Sequence, residues 1–115
     1  GINIFGVSIG PRSFSLYVKR KDAPRALRLL HEVVKRHELM KSLTSEEDIA
    51  MIIAESEKFI ETPGIIAKLT EPLAEKRINI IEIFSSRASI TFFTKWSDSK
   101  RALKLLKQTM EEVCV

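Results

Sequence analysis

The 115-residue sequence predicts an α+β protein that carries one small unit twice in tandem. The first observation is an internal repeat: residues 2–34 match residues 78–110 at a constant offset of 76, without a gap. Identical residues occupy 11 of the 33 positions, which in the first repeat are Ile2, Asn3, Ile4, Ser13, Lys19, Asp22, Arg25, Ala26, Leu27, Leu29 and Leu30. The second observation is that both repeats read strand, strand, helix, as expected for one supersecondary unit used twice.

The second repeat is preceded by a further strand and helix. Residues 48–55 form a short apolar run between acids, which predicts a buried strand. A helix is expected from Pro63, because Thr62 is a good N-cap and Glu61 places a negative charge near the positive helix end. Four apolar side chains of this helix share one face: Ile65, Ile66, Leu69 and Leu73. Pro72 is expected to kink or shorten its last turn, because proline lacks a backbone N–H.

A hairpin and a second helix follow. Residues 78–85 are apolar at both parities and are expected to form a central strand, while residues 89–96 are rich in β-branched and aromatic side chains. A helix is predicted over residues 100–113. A short last strand at 113–115 would complete βαββαβ, the ferredoxin-like motif, with an antiparallel sheet and helices on one face.

The first repeat is expected to be incomplete. It supplies predicted strands at 2–8 and 13–19, a helix at 24–37 and a closing strand at 39–43, so the predicted units are residues 1–44 and 45–115. The opening strand and helix of the first unit are lacking; they should precede Gly1, or another segment should fill their place. Because open sheet edges pair with other strands, we expect a homodimer or a higher homo-oligomer assembled through sheet edges.

Composition argues against several other classes of protein. The apolar runs are too short to cross a bilayer, so no membrane association is expected. The net charge of +4 invites a nucleic-acid interpretation, but the basic residues are mixed with acids and are typical of a solvated surface. Cys114, the only cysteine, can form no intrachain disulfide and gives weak support for a reducing compartment.

Catalytic and metal-binding patterns are missing from the sequence. His31 and His37 lie six residues apart on one predicted helix, so they point to different faces, and neither has a partner at metal-ligand spacing. Ser13 and the pair 85–86 have no general base in sight. We therefore predict a protein that is not an enzyme and that holds no metal or cofactor.

The junction of strand and helix at residues 60–66 is the best candidate site. Backbone N–H groups at a helix start lack internal partners and can bind a carboxylate. Gly64 would let a ligand approach the backbone, and Glu61 could accept a hydrogen bond from an ammonium group. Together these features suit a zwitterionic amino acid. The alternative is purely structural, with Thr62 and Pro63 starting a helix and Gly64 permitting tight packing.

Three motifs carry a resemblance to a known family. They are E-T-P-G-I-I-A-K-L at 61–69, L-A-E-K-R-I-N-I at 73–80 and R-A-L-K-L-L at 101–106. With the repeat, they make the chain resemble tandem ACT domains, which are small-molecule regulatory modules of amino-acid metabolism. The similarity is strongest to the paired ACT units of aspartokinases and to free-standing ACT regulators. It covers nearly a whole unit in the second repeat and the latter half of a unit in the first.

The resemblance implies a cytoplasmic, non-catalytic regulator whose partners are an amino-acid effector and a biosynthetic enzyme. In this family effectors bind where two ACT units meet, at the first turn and at the start of the second strand. By correspondence, the ligand-binding residues would be Glu61, Thr62, Pro63, Gly64, Ile65, Ile66, Asn79 and Ile80. The chain departs from the common pattern in having Glu61 where aspartate is frequent.

Two other functions remain open at the level of sequence. One is an oligomerisation or docking module that binds no ligand. The other is an RNA-binding ferredoxin-like module, which needs exposed aromatic side chains on its central strands. Phe92 and Phe93 are adjacent, so only one of them can face the open side of the sheet, and core or interface packing is the simpler interpretation of both.

Overall fold

The computed structural model describes residues 1–37 and 42–114. Its contacts divide the chain into two compact units, Gly1–Glu47 and Asp48–Val115, here called unit 1 and unit 2. Across the described residues, no helix is long and apolar enough to cross a membrane.

Unit 1 is a hairpin followed by a helix. Strand β1 (Ile4–Ile9) pairs antiparallel with β2 (Phe14–Val18), and helix α1 (Ala23–His37) follows a short 3-10 helix. The Gly10 N–H donates to the Ser13 carbonyl at 2.7 Å and closes the predicted turn. Of the closing strand expected at 39–43, residues 39–41 lie outside the described part of the chain. The remaining two residues, 42 and 43, have no regular structure.

Unit 2 contains three strands and two α-helices. In chain order its elements are β3 (Ile49–Glu55), a 3-10 helix (Glu57–Glu61), α2 (Ile65–Glu75), β4 (Ile80–Ser85), β5 (Ser89–Lys95), a 3-10 helix (Trp96–Asp98) and α3 (Ser99–Val113). The final strand expected at 113–115 is not formed by the described residues there, because Val113 still belongs to α3 and Cys114 caps it.

The sheet of unit 2 has the order β3-β5-β4, and both pairings are antiparallel. The prediction that residues 78–85 form a central strand is therefore wrong: β5 is central, and β4 is an edge among the described strands. Apolar residues occur at both parities of β4 for two reasons. A register shift between Ile80 and Glu82 breaks the alternation, and Phe84 packs edge-on against Phe93, with ring centroids 5.7 Å apart.

The core of unit 2 lies between one face of this sheet and the two helices. Its fully buried side chains come from every layer, and they include Leu69 and Leu73 of α2, Phe92 of β5 and Ala102 of α3. Leu69 and Leu73 of the predicted apolar stripe are buried and Ile65 packs against the core, but Ile66 is exposed, so its place in the stripe was predicted wrongly. Helix α2 ends at Glu75, one turn after Pro72. The predicted α+β class, with an antiparallel sheet and helices on one face, is confirmed.

Candidate functional site

A short 3-10 helix separates strand β3 from helix α2, and the sequence patterns did not reveal it. Ser56 caps this helix, because its hydroxyl accepts a hydrogen bond from the Lys58 N–H at 3.1 Å. Phe59 anchors it, since its side chain is buried in the core. In the sequence, the signal for this 3-10 helix is a serine, Ser56, followed three residues later by a phenylalanine, Phe59. The segment carries Glu61 to an exposed position beside the start of α2.

Helix α2 begins two residues later than predicted. Thr62 is not its N-cap: the Thr62 hydroxyl donates instead to the Lys58 carbonyl at 2.6 Å, which closes the preceding 3-10 helix. Pro63 lies in the turn rather than at the first helical position. The N-cap is Gly64, in the left-handed conformation with φ of 69°. Hydrogen bonding within the 3-10 helix therefore takes up the hydroxyl that would otherwise cap α2.

Glycine is favoured at position 64 by the backbone conformation there, and not by close packing of neighbouring atoms. A Cβ atom built at Gly64 would meet no heavy atom within 4 Å. A positive φ of this size disfavours residues with a Cβ, which explains the choice of glycine. The expectation that Gly64 permits tight packing is thus wrong, and the space beside this backbone is open.

No side chain caps the start of α2. Gly64 has no side chain that could cap the helix, so the first-turn N–H groups depend on solvent or a ligand for partners. The Glu61 carboxylate is exposed nearby, and Ile66 leaves 39% of its surface exposed beside them. Ile65 turns the other way and packs against the core. Backbone donors, a carboxylate and an apolar side chain thus follow one another within residues 61–66.

The two remaining predicted site residues lie at the opposite end of the same unit. The Ile78 N–H donates to the Leu73 carbonyl, so Asn79 and Ile80 follow directly on the C-terminal end of α2. Asn79 is exposed and Ile80 is half-buried against the core. An 11-residue helix is about 16 Å long at about 1.5 Å per residue, and this length separates them from the 61–66 turn. One small ligand cannot bridge both groups within a single unit.

The edge at β4 offers a way to bring the two groups together between molecules. Strand β4 starts at the Asn79 end of α2 and finishes at Ser85, at the end of the sheet where α2 begins. Helix α3 packs on β3, on β5 and on α2. Antiparallel pairing of two β4 edges would therefore bring Asn79 of one molecule toward the 61–66 turn of the other.

The structure gives little support to a metal-binding or base-stacking role for the other candidate residues. In the described part of the chain, no group of three or more His, Cys, Asp or Glu side chains could hold a metal ion. His31 is exposed on α1, and the side chain of His37 lies outside the described set. Phe92 and Phe93 are both buried, with exposures of 0% and 3%, so neither can stack on a base without unfolding.

These observations define the protein as a small ferredoxin-like α+β module with an exposed, glycine-capped helix start. The model of the ACT domain family matches residues 44–108, and the chain belongs to that family. Comparison with curated protein sequences gives no match.

Solved structures of similar fold cover nearly the whole chain. The regulatory subunit of aspartate kinase from Thermus thermophilus is 24% identical with a TM-score of 0.85, and the match covers 94% of this chain and 72% of that one. A structure of aspartokinase alpha and beta subunits is 22% identical with a TM-score of 0.87, covering 96% and 74%. Clostridium acetobutylicum aspartate kinase is 20% identical with a TM-score of 0.85, and only 26% of its chain is covered. At these identities the likeness establishes the fold.

Proposed function

We propose that this chain is a cytoplasmic, non-catalytic regulatory module that binds a free amino acid between two ACT units. Its membership of the ACT family supports a regulatory role. The similar structures are regulatory subunits of aspartate kinase and an aspartate kinase itself, so we take the regulated partner to be a biosynthetic enzyme of that class. This last step rests on likeness of fold.

The single observation that supports this binding mode is the open backbone at Gly64. In the proposed complex the effector carboxylate accepts hydrogen bonds from the first-turn N–H groups of α2, where the helix dipole also favours negative charge. The effector ammonium group meets the Glu61 carboxylate. Asn79 of the second molecule offers a donor and an acceptor, and the effector side chain rests on Ile66 and on Ile80 of that second molecule.

Binding between two molecules gives the effector control over assembly. A ligand that contacts the 61–66 turn of one molecule and the Asn79 end of another binds only the paired state. It therefore shifts the equilibrium toward pairing by mass action. An enzyme attached to such a module would respond to the effector through this change in association.

A screen of the twenty amino acids by thermal shift, followed by calorimetry on any positive, tests the proposal. We expect at least one amino acid to bind. Glu61→Gln should weaken this binding by at least about tenfold, because it removes the negative charge that pairs with the effector ammonium group. Glu57→Gln is the matched control, since Glu57 is an exposed acid on the same 3-10 helix. Binding that is equally weakened in both variants, or absent for all twenty, would contradict the proposed site.

A second candidate is an assembly module that binds no effector. It is favoured by the sheet face of unit 2 opposite the helices, where Met51 and Ile53 are 38% and 50% exposed. This candidate predicts self-association in sedimentation experiments, with no response to any amino acid.

A further inference from the structure

Helix α2 ends in a Schellman motif that holds an arginine in a strained backbone conformation. The Ile78 N–H donates to the Leu73 carbonyl at 2.9 Å, and the Arg77 N–H donates to the Ala74 carbonyl at 3.0 Å. These are the two hydrogen bonds that define this kind of helix end. The motif places Arg77 in the left-handed region, with φ of 58°. Glycine is the usual residue there, because a Cβ atom makes the conformation unfavourable.

The internal repeat has glycine at the equivalent position. At the offset of 76, Arg77 corresponds to Gly1, and the Ile-Asn-Ile that follows is identical in the two repeats. The second repeat thus carries a long, charged side chain at a place where the backbone favours none. Residues held in such conformations cluster at functional sites, where the side chain provides something that glycine cannot.

Capping of α2 does not explain the choice of arginine. The carbonyl groups of residues 72–74 accept hydrogen bonds from backbone N–H groups, and the Lys76 carbonyl accepts one from the Arg101 guanidinium. A positive charge near a helix C-terminus gains no more than the left-handed conformation loses. Among residues 1–37 and 42–114, no hydrogen bond or ion pair involves the Arg77 guanidinium, and the residue is exposed. Its guanidinium is therefore available to a ligand.

Arg77 lies beside one half of the proposed amino-acid site. Only Ile78 separates it from Asn79, and two residues of extended chain span at most about 7 Å. An extended arginine side chain covers a comparable distance. The Arg77 guanidinium can therefore reach a ligand that is held at Asn79.

Arg77 would add the charge that the proposed site lacks on its second side. On the first side, the backbone N–H groups of α2 bind the effector carboxylate and Glu61 meets its ammonium group. The residues proposed to face the effector side chain, Ile66, Asn79 and Ile80, are all uncharged. A guanidinium added there selects a carboxylate, which it binds through two parallel hydrogen bonds.

We infer, on the basis of the proposed function, that the effector is an amino acid with a carboxylate on its side chain. The α-carboxylate and the ammonium group bind to the 61–66 turn of one molecule, and the side-chain carboxylate pairs with Arg77 of the second molecule. Arg77 is thus a specificity-determining residue. The left-handed backbone is retained at this arginine because it places a guanidinium beside Asn79.

Calorimetric titrations of the full chain with L-aspartate, L-glutamate and their amides, L-asparagine and L-glutamine, test the inference. Each amide has nearly the shape of its acid but no side-chain charge. We expect one acid to bind at least about tenfold more tightly than its own amide, because a charged hydrogen-bonded pair becomes a neutral contact. An amide that binds as tightly as its acid, or binding of uncharged or basic amino acids alone, would overturn the inference and leave the proposed function standing. Binding by none of the twenty amino acids would contradict both.

Substitutions at Arg77 separate its charge from its backbone conformation. Arg77→Gly should remove the preference for acid over amide without lowering the melting temperature, because glycine suits the left-handed conformation. Arg77→Lys should keep part of the preference, because it keeps the positive charge. Arg12→Gly is the matched control, since it makes the same change at an exposed arginine between β1 and β2. A preference that survives Arg77→Gly, or that falls equally in Arg12→Gly, would overturn the inference.

A direct ion pair between Arg77 and Glu61 of two paired molecules is the alternative role for this arginine. Sedimentation of the chain without any amino acid distinguishes the two roles. We expect Arg77→Gly to leave the effector-free association unchanged, because the guanidinium meets the effector and not Glu61. Effector-free association that is weakened at least about tenfold, in Arg77→Gly and in Glu61→Gln alike, would overturn the inference.

Discussion

The guanidinium of Arg101 donates a hydrogen bond to the backbone carbonyl of Lys76, 3.3 Å away, and so ties the start of α3 to the end of α2. The same guanidinium contacts the Asp98 carboxylate at 2.9 Å. The Arg101 side chain thus provides a hydrogen-bond donor to the carbonyl at the end of α2 and connects α2 to α3. The internal repeat alone does not predict these contacts.

Replacing Arg101 should lower the stability of unit 2 measurably. For Arg101→Met we expect a loss of about 1 kcal/mol, because one hydrogen bond to a carbonyl and a partly exposed ion pair disappear. Urea denaturation monitored by circular dichroism measures the change. Lys104→Met, on the exposed surface of the same helix, should leave the free energy of unfolding nearly unchanged. Equal effects of the two variants would argue against the helix-end contact.

Leu73 should be among the most sensitive positions of the chain. Its side chain is 0% exposed and lies in the core between α2 and the sheet. Leu73→Ala is expected to cost about 2–5 kcal/mol, since it removes buried methyl groups and leaves a cavity. Glu71→Ala, at an exposed position of α2, provides the comparison in thermal or urea unfolding. A Leu73→Ala protein as stable as the Glu71→Ala protein would contradict this description of the core.

Gly64 should tolerate asparagine better than alanine. We expect Gly64→Ala to lose about 1 kcal/mol of stability because its left-handed φ strains residues with a Cβ, while asparagine adopts that conformation more readily. Chemical denaturation of both variants gives the two free energies. Since no atom lies near the added Cβ, crowding should contribute nothing. A larger loss for asparagine than for alanine would show that side-chain size, and not backbone conformation, governs this position.

Phe93 and Trp96 should differ sharply in their effect on stability. Phe93→Ala is expected to destabilise by about 3–5 kcal/mol, because its ring is buried and packs edge-on against Phe84. Trp96 is 66% exposed, so Trp96→Ala should change the free energy of unfolding by no more than about 0.5 kcal/mol. Differential scanning calorimetry distinguishes the two. If the Phe93→Ala and Trp96→Ala proteins melt at similar temperatures, Phe93 is accessible, and base stacking on Phe93 becomes a candidate function again.

The proposed binding site predicts complementation between two weakened variants. Glu61→Gln and Asn79→Ala should each bind the effector at least about tenfold more weakly alone, because each alters one side of every composite site. A mixture should regain up to half of the sites per mixed pair, since one of its two sites joins an intact 61–66 turn to an intact Asn79. Calorimetric stoichiometry on the mixture measures this recovery. No recovery in a mixture shown to form mixed pairs would place both residues in one molecule's site, or in none.

The sequence was most informative where a pattern depends on neighbours along the chain. The repeat, the apolar residues of α2 and the β-branched strand predicted over residues 89–96 gave the α+β class and most element limits to within two residues. Prediction failed where a choice depended on competing partners. The Thr62 hydroxyl was suitable for capping α2, but it donates a hydrogen bond to the Lys58 carbonyl instead. Residues 78–85 were predicted to form the central strand of the sheet, but the central strand is β5.

The sequence by itself determined that one strand–strand–helix unit occurs twice, and that a Pro-Gly turn starts a helix in the second unit. Only the tertiary structure decided that β5, and not β4, takes the middle of the sheet of unit 2. It also decided that Phe92 and Leu106 are buried in the core of unit 2, whereas their counterparts Leu16 and Leu30 are half-buried. The physical reason is that helical and strand periodicity act between near neighbours, whereas burial depends on which distant segment covers a face.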